Sequence, residues 1–233
     1  MARVRKLFRL LSHRSYWPAL RQGVAASVEH SRIPLRPDVR TVLDVGASRG
    51  QFALFAARRF PEAKIISFEP LPAALADLRK VVGSRVEAHE TAIGAAPGTA
   101  TINVSGSDDS SSLLPIGERQ VREFPGTAAV SSIEVRVATL DQILETPPVR
   151  PCLLKIDVQG LELDVLKGAG RTLESVDEAL IECSFVELYE GQPLAGEIVL
   201  AMREAGLRLA GVHETVYSAD GSAVQADFLF RRD

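Results

Sequence analysis

The chain has 233 residues, of which 46% are hydrophobic and 24% are charged, and its formal net charge is -3. At about 100–200 residues per domain, this length fits one domain with an appendage. Both fractions are close to the average of globular proteins, which excludes collagenous, coiled-coil and wholly disordered chains.

The charge is divided unevenly along the chain. Residues 1–40 contain nine Lys or Arg and two acids, a net charge of +7, which leaves −10 for residues 41–233. Apolar residues of the basic part recur at helical spacing at Val4, Leu7, Leu10 and Leu11. This spacing predicts a separate helical segment over residues 1–40. Three alternatives stay open for it: docking on the acidic body, docking on an anionic membrane surface or lipid-linked substrate through residues 1–30, and a mobile tail.

Two cysteines, Cys152 and Cys183, each lie in an apolar run, and the sequence has no CxxC pair or Cys/His cluster. We predict two free buried thiols in a reducing compartment rather than a disulfide, and no metal site. No apolar run reaches the roughly 18–20 residues of a membrane span, and the N-terminus lacks the apolar region of a secretory signal. We therefore expect a cytoplasmic protein, with peripheral membrane contact left open.

From residue 41 onward, apolar runs of strand length alternate with stretches of helical periodicity. The predicted strands are 41–46, 64–68, 85–88 with its exit at 90–93, 133–137, 153–158, 179–185, 207–212 and 226–230. The predicted helices are 51–60, 73–82, 161–168 and 195–204. Residues 94–125 are rich in Gly, Ser, Asp and Pro, which predicts loops and, at the alternating run 99–104, a hairpin. The Ser-rich stretch 105–113 is either a surface loop or a lid ordered by substrate.

This alternation predicts an α/β fold with a mostly parallel sheet covered by helices on both faces. Only a turn at 218–222 separates the last two strands, so they should pair antiparallel as a hairpin at one edge of the sheet. In such folds ligands bind beyond the carboxyl ends of the strands, near the point where the strand order reverses. The loops after the strands 41–46, 64–68 and 153–158 are therefore the places for a site.

A glycine motif, Asp44-Val-Gly46-Ala-Ser-Arg-Gly50, follows the first strand. Its two glycines allow a tight turn and a close approach to a ligand, and the next helix offers free N–H groups at its start. The G-x-G-x-x-G pattern of dinucleotide sites is absent, and an acid at the mouth of the loop favours a ligand with positive charge or hydroxyls. A glycine turn that only packs the strand on the helix is the alternative.

Glu69 ends the second strand, 19 residues after Gly50. An acid in this place accepts hydrogen bonds from both hydroxyls of a ribose. A surface acid without a ligand is the alternative, but the position between KIISF and Pro70 favours a ligand contact.

Several blocks of the sequence together resemble one family. They are VLDVGASRGQFALFA at 42–56, FEP at 68–70, SSL at 111–113, TLDQIL at 139–144, LLKIDVQGLELDVLKGA at 153–169 and IECSFVELYEGQPL at 181–194. In this order they resemble the FkbM-type methyltransferases over about four-fifths of the chain. The resemblance implies a Rossmann-like class I methyltransferase sheet that binds S-adenosylmethionine, and methyl transfer to a hydroxyl, often of a sugar or another small molecule. The chain departs from the family's pattern in two places: Ser48-Arg49 stands where Asn and a variable residue are usual, and Gln159 replaces the common Glu of the D-x-E-G form.

The cofactor contacts expected from the motifs and this resemblance are Asp44, Gly46, Ala47, Ser48, Gly50, Glu69, Pro70 and Ala92. Asp157, at the end of the strand 153–158, is the candidate closest to the reacting methyl group, and Lys155 shares its face and would keep it ionised. A purely structural ion pair is the alternative. His213, placed after the strand 207–212, is a further candidate base, or only a loop residue.

Other residues keep two interpretations each. Glu162 either favours the dipole of the helix that it begins or belongs to the site. Tyr189 either lines an acceptor pocket or covers the core, and Asp227 is expected to be structural. His13 and His89 have weaker cases.

The sequence therefore predicts an S-adenosylmethionine-dependent O-methyltransferase that acts on a hydroxyl of a small molecule or glycan. One alternative is N-methylation, perhaps of nucleic acid, but no Asn/Asp-Pro-Pro-aromatic loop follows the strand 153–158 and the body is acidic. We accordingly expect no nucleic acid partner. A non-catalytic nucleotide-binding module of the same fold is the second alternative.

Overall fold

The structure is a computed structural model that describes residue 10, residues 13–107 and residues 109–232. The described strands are β1 (Thr41–Val45), β2 (Lys64–Phe68), β3 (Glu87–His89), β4 (Ala92–Ile93), β5 (Gly98–Ser105), β6 (Ala129–Ala138), β7 (Cys152–Ile156), β8 (Val176–Ser184), β9 (Leu207–Tyr217) and β10 (Ala223–Arg232). The described α-helices are α1 (Trp17–Arg21), α2 (Gln51–Arg59), α3 (Pro72–Val82), α4 (Glu118–Glu123), α5 (Leu140–Ile143), α6 (Glu162–Lys167), α7 (Gly170–Leu173) and α8 (Ala195–Glu204).

The main sheet has seven strands in the order β3-β2-β1-β7-β8-β10-β9. Its first five strands pair in parallel, and β10 pairs antiparallel with both β8 and β9. This confirms the predicted α/β fold and the antiparallel hairpin at one edge. Because the strand order reverses between β1 and β7, the loops after these two strands meet at the place where open α/β sheets bind ligands.

Two regions contain more β-strand than the sequence predicted. A second, three-stranded sheet of order β4-β6-β5 occupies the region expected to be mostly loops, and its β5–β6 pair confirms the hairpin suggested by the run 99–104. Strand β8 begins at Val176, earlier than predicted, because Asp177 and Glu178 interrupt the apolar pattern. Both acids are nevertheless buried, since Arg150 pairs with Asp177 and Arg231 with Glu178.

Buried side chains cover both faces of the main sheet. Leu43, Leu154 and Ile156 face one hydrophobic cluster, and Val42 and Leu153 face the other. This alternation is what a parallel sheet between two layers of helices requires.

Both cysteines lie in the core of the sheet. Cys152 in β7 and Cys183 in β8 are buried and unpaired, as predicted. Burial raises the pKa of the Cys152 thiol to about 12 and that of Cys183 further still, so neither forms a thiolate near neutral pH.

The described part of the basic N-terminal segment packs on the domain. Tyr16, Ala19, Val24 and Ala26 form a buried cluster with Leu54 of α2. Further along the chain, Ile33, Leu35 and Val39 pack in the hydrophobic cluster on the sheet face of Val42 and Leu153. Of the predicted helix, Val4, Leu7 and Leu11 lie outside the described residues. No helix in the described part of the chain is long and apolar enough to cross a membrane.

Candidate active site

The loop after β1 contains three residues with a left-handed backbone. Gly46 and Gly50 have φ angles of 77° and 91°, and Ser48 between them has a φ of 47°. A Cβ atom at Gly46 would lie 1.8 Å from the carbonyl oxygen of Asp157, so glycine is what lets the loops after β1 and β7 touch. Gly50 instead packs on α3, where a Cβ atom would lie 3.2 Å from Leu78.

Lys155 is the buried cation at this junction. Its Nζ donates to the carbonyl of Gly46 at 2.9 Å, and it lies 3.7 Å from Asp44 Oδ1 and 3.4 Å from Asp157 Oδ2. Desolvation acts to lower the pKa of Lys155, but the neighbouring Asp157, Asp44 and Glu182 raise it above its usual value. The ammonium therefore stays charged beside Asp157, which confirms the predicted pairing.

Asp44 lies beneath the loop and not at its mouth. Its side chain is fully buried and accepts a hydrogen bond from Ser67 Oγ at 3.2 Å. Burial raises the pKa of Asp44, and the nearby ammonium of Lys155 opposes the increase. The position of Asp44 makes it a support for Lys155 below the ligand surface.

Glu69 directly follows β2, and both of its carboxylate oxygens accept hydrogen bonds from backbone N–H groups. Oε2 accepts from the N–H of Ser48 at 2.7 Å and Oε1 from the N–H of Leu71 at 2.8 Å. Burial raises the pKa of Glu69 to about 7, although both hydrogen bonds act to lower it. Glu69 thus joins the loops after β1 and β2 and keeps lone pairs for a ligand.

A first cleft opens between these two loops, β4 and the Ser-rich stretch. Phe68, Leu71, Ile93 and Ile102 give it largely apolar walls. Six predicted site residues line it: Gly46, Ser48, Glu69, Pro70, Ala92 and Asp157.

A second cleft of about 450 Å³ lies on the other side of the same junction. Gly46, Ser48, Asp109 and Asp157 line both clefts, so the two meet there. The second cleft also contains the predicted residues Ala47 and Lys155. Its far walls come from distant parts of the chain, and they include Gly23, Val24, Glu29, His30, Glu182, Glu214, Gln225 and Asp227.

His213 lies elsewhere than expected. Strand β9 continues to Tyr217, so His213 is inside the strand and not in a loop after it. Its ring folds back over Gly211, where a Cβ atom would lie 2.6 Å from His213 Nε2. His213 lines neither cleft.

A polar network that the motifs did not predict surrounds Asp157. Gln159 Nε2 donates to Asp157 Oδ1 at 2.6 Å and to Glu182 Oε2 at 3.1 Å, and Gln159 Oε1 accepts from the Tyr189 hydroxyl at 2.6 Å. The departure from the family's usual residue at position 159 was the signal in the sequence. Tyr189 is fully buried and contributes to the site only through this hydroxyl.

The Ser-rich stretch lies over the first cleft. Ser112 Oγ donates to the carbonyl of Gln159 at 2.6 Å, and the Tyr189 hydroxyl is 3.2 Å from the carbonyl of Ser110. Ser111 and Leu113 line the first cleft. The stretch therefore forms one wall of the first cleft.

Glu162 holds the loop after β7 through hydrogen bonds to its backbone. Its Oε1 accepts from the N–H groups of Gly160 at 3.0 Å and Val158 at 3.4 Å. Burial raises the pKa of Glu162 to about 7, and these hydrogen bonds oppose the increase. Glu162 lines neither cleft, so its contacts are those of a helix-start acid that orders the loop.

A family model and two related proteins each match about two thirds or more of the chain. The model of the methyltransferase FkbM domain matches residues 44–209. Methyltransferase 1 of Beauveria bassiana is 28% identical over 171 residues, 67% of each chain, and the 2-O-methyltransferase NoeI of Sinorhizobium fredii is 30% identical over 166 residues, 67% of this chain and 68% of its own.

A solved structure, the precorrin-6y C5,15-methyltransferase of Geobacter metallireducens, is 14% identical and aligns over 89% of this chain and 87% of its own with a TM-score of 0.49. The family match alone spans well over half of the chain. The protein belongs to the FkbM methyltransferase family and is an S-adenosylmethionine-dependent methyltransferase.

Proposed function

We propose that the protein transfers the methyl group of S-adenosylmethionine to a hydroxyl oxygen of a small molecule or glycan. The observation that supports this most directly is the meeting of the two clefts at Gly46 and Asp157. One cleft then holds the methyl donor and the other the acceptor. The name of the relative NoeI, a 2-O-methyltransferase, supports oxygen as the methylated atom.

The residues of the first cleft fit the donor. Glu69 offers a carboxylate to the two ribose hydroxyls. Pro70 and Leu71 on one side, with Ala92 and Ile93 on the other, offer apolar surface to a flat base. The carboxylate of Asp157 suits a cationic sulfonium better than it would suit a phosphate.

S-adenosylmethionine supplies a methyl group that its sulfonium has already activated. The protein then has to align the acceptor oxygen and remove its proton, and alignment alone contributes at most about 7–11 kcal/mol. Asp157 accepts the proton as general base, since of the two carboxylates that line both clefts, Asp109 and Asp157, it is the one paired with the buried Lys155. Lys155 pairs with Asp157 and fixes its place, with Nζ 3.4 Å from Asp157 Oδ2. Because His213 lines neither cleft, it has no part in this mechanism.

The cofactor assignment is tested by calorimetry with S-adenosylhomocysteine. Glu69→Ala should weaken binding by about tenfold or more, because hydrogen bonds to a charged group contribute about 1.5–3 kcal/mol. Glu90→Ala, at an exposed acid of the neighbouring loop, is the matched control and should bind as the wild type does. Wild-type affinity in Glu69→Ala would remove Glu69 from the cofactor site.

The catalytic assignment is tested with methyl-labelled S-adenosylmethionine and a panel of glycosides. Asp157→Asn should keep the affinity for S-adenosylhomocysteine and lower turnover by about 100-fold or more, the usual contribution of a positioned base. Asp164→Asn, at an exposed acid of α6, is the control for the same change. Full turnover in Asp157→Asn would show that another group takes the proton.

A further inference from the structure

We infer that the second cleft binds the methyl acceptor, and that this acceptor is a polyhydroxylated compound with a protonated amino group. The inference rests on the proposed function and adds the chemical class of the acceptor. Four independent features of the cleft carry it: its place, its charge, its unpartnered polar atoms and the origin of its walls.

The place of the cleft follows from the sheet. Asp157 and Gly46 line both clefts, so a molecule in the second cleft reaches the same point as a donor in the first. The walls of the second cleft include Glu182 of β8 and Asp227 of β10. The cleft therefore extends from the junction across the neighbouring strands, on the side where the strand order reverses.

The lining of the cleft is rich in carboxylates, of which Glu214 lies 4.0 Å from Arg32 outside the lining. Its lining contains more carboxylates than cations; the carboxylates are Glu29, Asp109, Asp157, Glu182, Glu214 and Asp227, and the Lys and Arg side chains are Lys155 and Arg49. Arg49 pairs with Asp77, which is outside the cleft lining, and Lys155 is held between Asp44 and Asp157.

Glu182 and Asp227 contact amide and imidazole groups of the cleft. Glu182 accepts from the amides of Gln159 at 3.1 Å and Gln225 at 2.8 Å, and Asp227 Oδ2 is 3.2 Å from His30 Nε2. Burial, together with the nearby Asp157, Asp227 and Glu162, holds the pKa of Glu182 well above its usual value. A ligand cation beside Glu182 would stabilise the ionised carboxylate.

The polar atoms of the cleft indicate hydroxyl groups in the ligand. His30 Nδ1, Ser48 Oγ and Gln51 Oε1 are buried and have no hydrogen-bond partner in the described part of the chain, and all three residues line this cleft. Buried polar atoms in folded proteins almost always have a partner. A hydroxyl both donates and accepts, so a ligand with several hydroxyls can satisfy all three atoms.

The cation that these side chains fit is an ammonium. A metal ion needs several ligands converging on one point. Among residues 10, 13–107 and 109–232, no three His, Cys, Asp or Glu side chains are grouped in that way. Separate carboxylates beside amides suit an N–H₃⁺ group, which donates three hydrogen bonds in different directions.

About half of the residues that line the second cleft lie outside the family match. His30 and its neighbours precede residue 44, and Gln225 and Asp227 follow residue 209. The contact of His30 with Asp227 joins the two walls across 197 residues of sequence. The proposed acceptor class thus depends on Glu182, Ser48 and Gln51 inside the matched domain together with His30 and Asp227 outside it.

The test measures ligand affinity of the protein loaded with S-adenosylhomocysteine. Three probes share one sugar ring: methyl glucosaminide, methyl glucoside and methyl glucuronide, used at a pH where the amine is protonated. We expect the amine to bind about tenfold more tightly than the neutral sugar and the acid to bind most weakly. Glu182→Gln and Asp227→Asn should each reduce the preference for the amine without changing the affinity for S-adenosylhomocysteine. Glu204→Gln, at an exposed acid of α8, should leave both unchanged.

Each outcome decides the inference. Equal binding of the amine and the neutral sugar overturns it, as does binding of none of the probes while S-adenosylhomocysteine binds. A preference for the amine that survives in both variants would place the cation elsewhere and overturn the assignment of this cleft. Failure of S-adenosylhomocysteine itself to bind would instead refute the proposed function.

Discussion

Gln159 shows how one side chain defines the chemistry around Asp157. Its amide donates to Asp157 and Glu182 and accepts from Tyr189, and only an amide can do all three. A glutamate in this position would bring a third carboxylate between two others. The backbone of Gln159 has a φ of 57°, so the local fold directs the side chain into this contact.

Glu162 leads to a prediction about stability and pH. Its pKa is about 7 in the folded protein against an ordinary value of 4.5, so the unfolded chain loses this proton first. The stability that the protonated group contributes is present below pH 4.5 and is lost as the pH rises through about 7. Between pH 4.5 and about pH 7, the free energy of unfolding of the wild type should therefore fall by up to about 3 kcal/mol relative to that of Glu162→Gln.

Urea unfolding of both proteins at a series of pH values measures this difference. Glu174→Gln, at an exposed acid between α7 and β8, serves as the control and should follow the wild type at every pH. Parallel stability curves for wild type and Glu162→Gln would show that the pKa of Glu162 is the same in the folded and the unfolded protein.

At the scale of elements, local patterns predicted those parts of the site that follow one another closely in sequence. The motif Asp44–Gly50, Glu69 and Asp157 each follow a strand of the parallel sheet, so their place could be predicted from the alternation of strands and helices. The second cleft could not be predicted, because Gly23, His30 and Asp227 meet only through long-range packing. His213 was misplaced because the apolar pattern of β9 fades before the strand ends at Tyr217.

Strand β10 is the element on which the hairpin depends. It lies between β8 and β9, and Phe230 within it is fully buried in the core. Phe230→Ala should lower the free energy of unfolding by about 3–5 kcal/mol, the usual cost of truncating a buried aromatic side chain.

Denaturant unfolding, followed by circular dichroism, measures the effect. Val212→Ala in β9 is the control, because Val212 is 44% exposed and its truncation should change stability little. A loss below about 1 kcal/mol for Phe230→Ala would mean that the hairpin contributes little to the stability of the core.

At the scale of the whole molecule, the acidic residues 41–233 and the basic residues 1–40 relate to different parts of the structure. The acidic body concentrates carboxylates at the second cleft. In the basic segment, residues 13–40 pack against the domain, whereas four of its nine Lys and Arg, Arg3, Arg5, Lys6 and Arg9, lie outside the described residues.

These four cations give a test of peripheral membrane contact. Docking on an anionic membrane, one of the three alternatives, predicts that the full chain sediments with anionic vesicles and that a chain without residues 1–9 loses this binding, since each cation contributes about 1 kcal/mol at such a surface. A longer deletion, to residue 30, would also remove Tyr16, Ala19 and a wall of the second cleft, and so would not isolate the charge. Neutral vesicles are the control; equal sedimentation of both chains with anionic vesicles would exclude this segment as the contact.

The contact between His30 and Asp227 means that the second cleft is completed later in protein synthesis than the first. Every residue that lines the first cleft lies between Val45 and Leu161, so this part of the chain leaves the ribosome well before synthesis ends. The second cleft needs Asp227, and β10 must insert between β8 and β9 to place it. A nascent chain therefore has all residues of its first cleft while its second is still incomplete, and a premature stop before Asp227 would leave that second cleft without one wall.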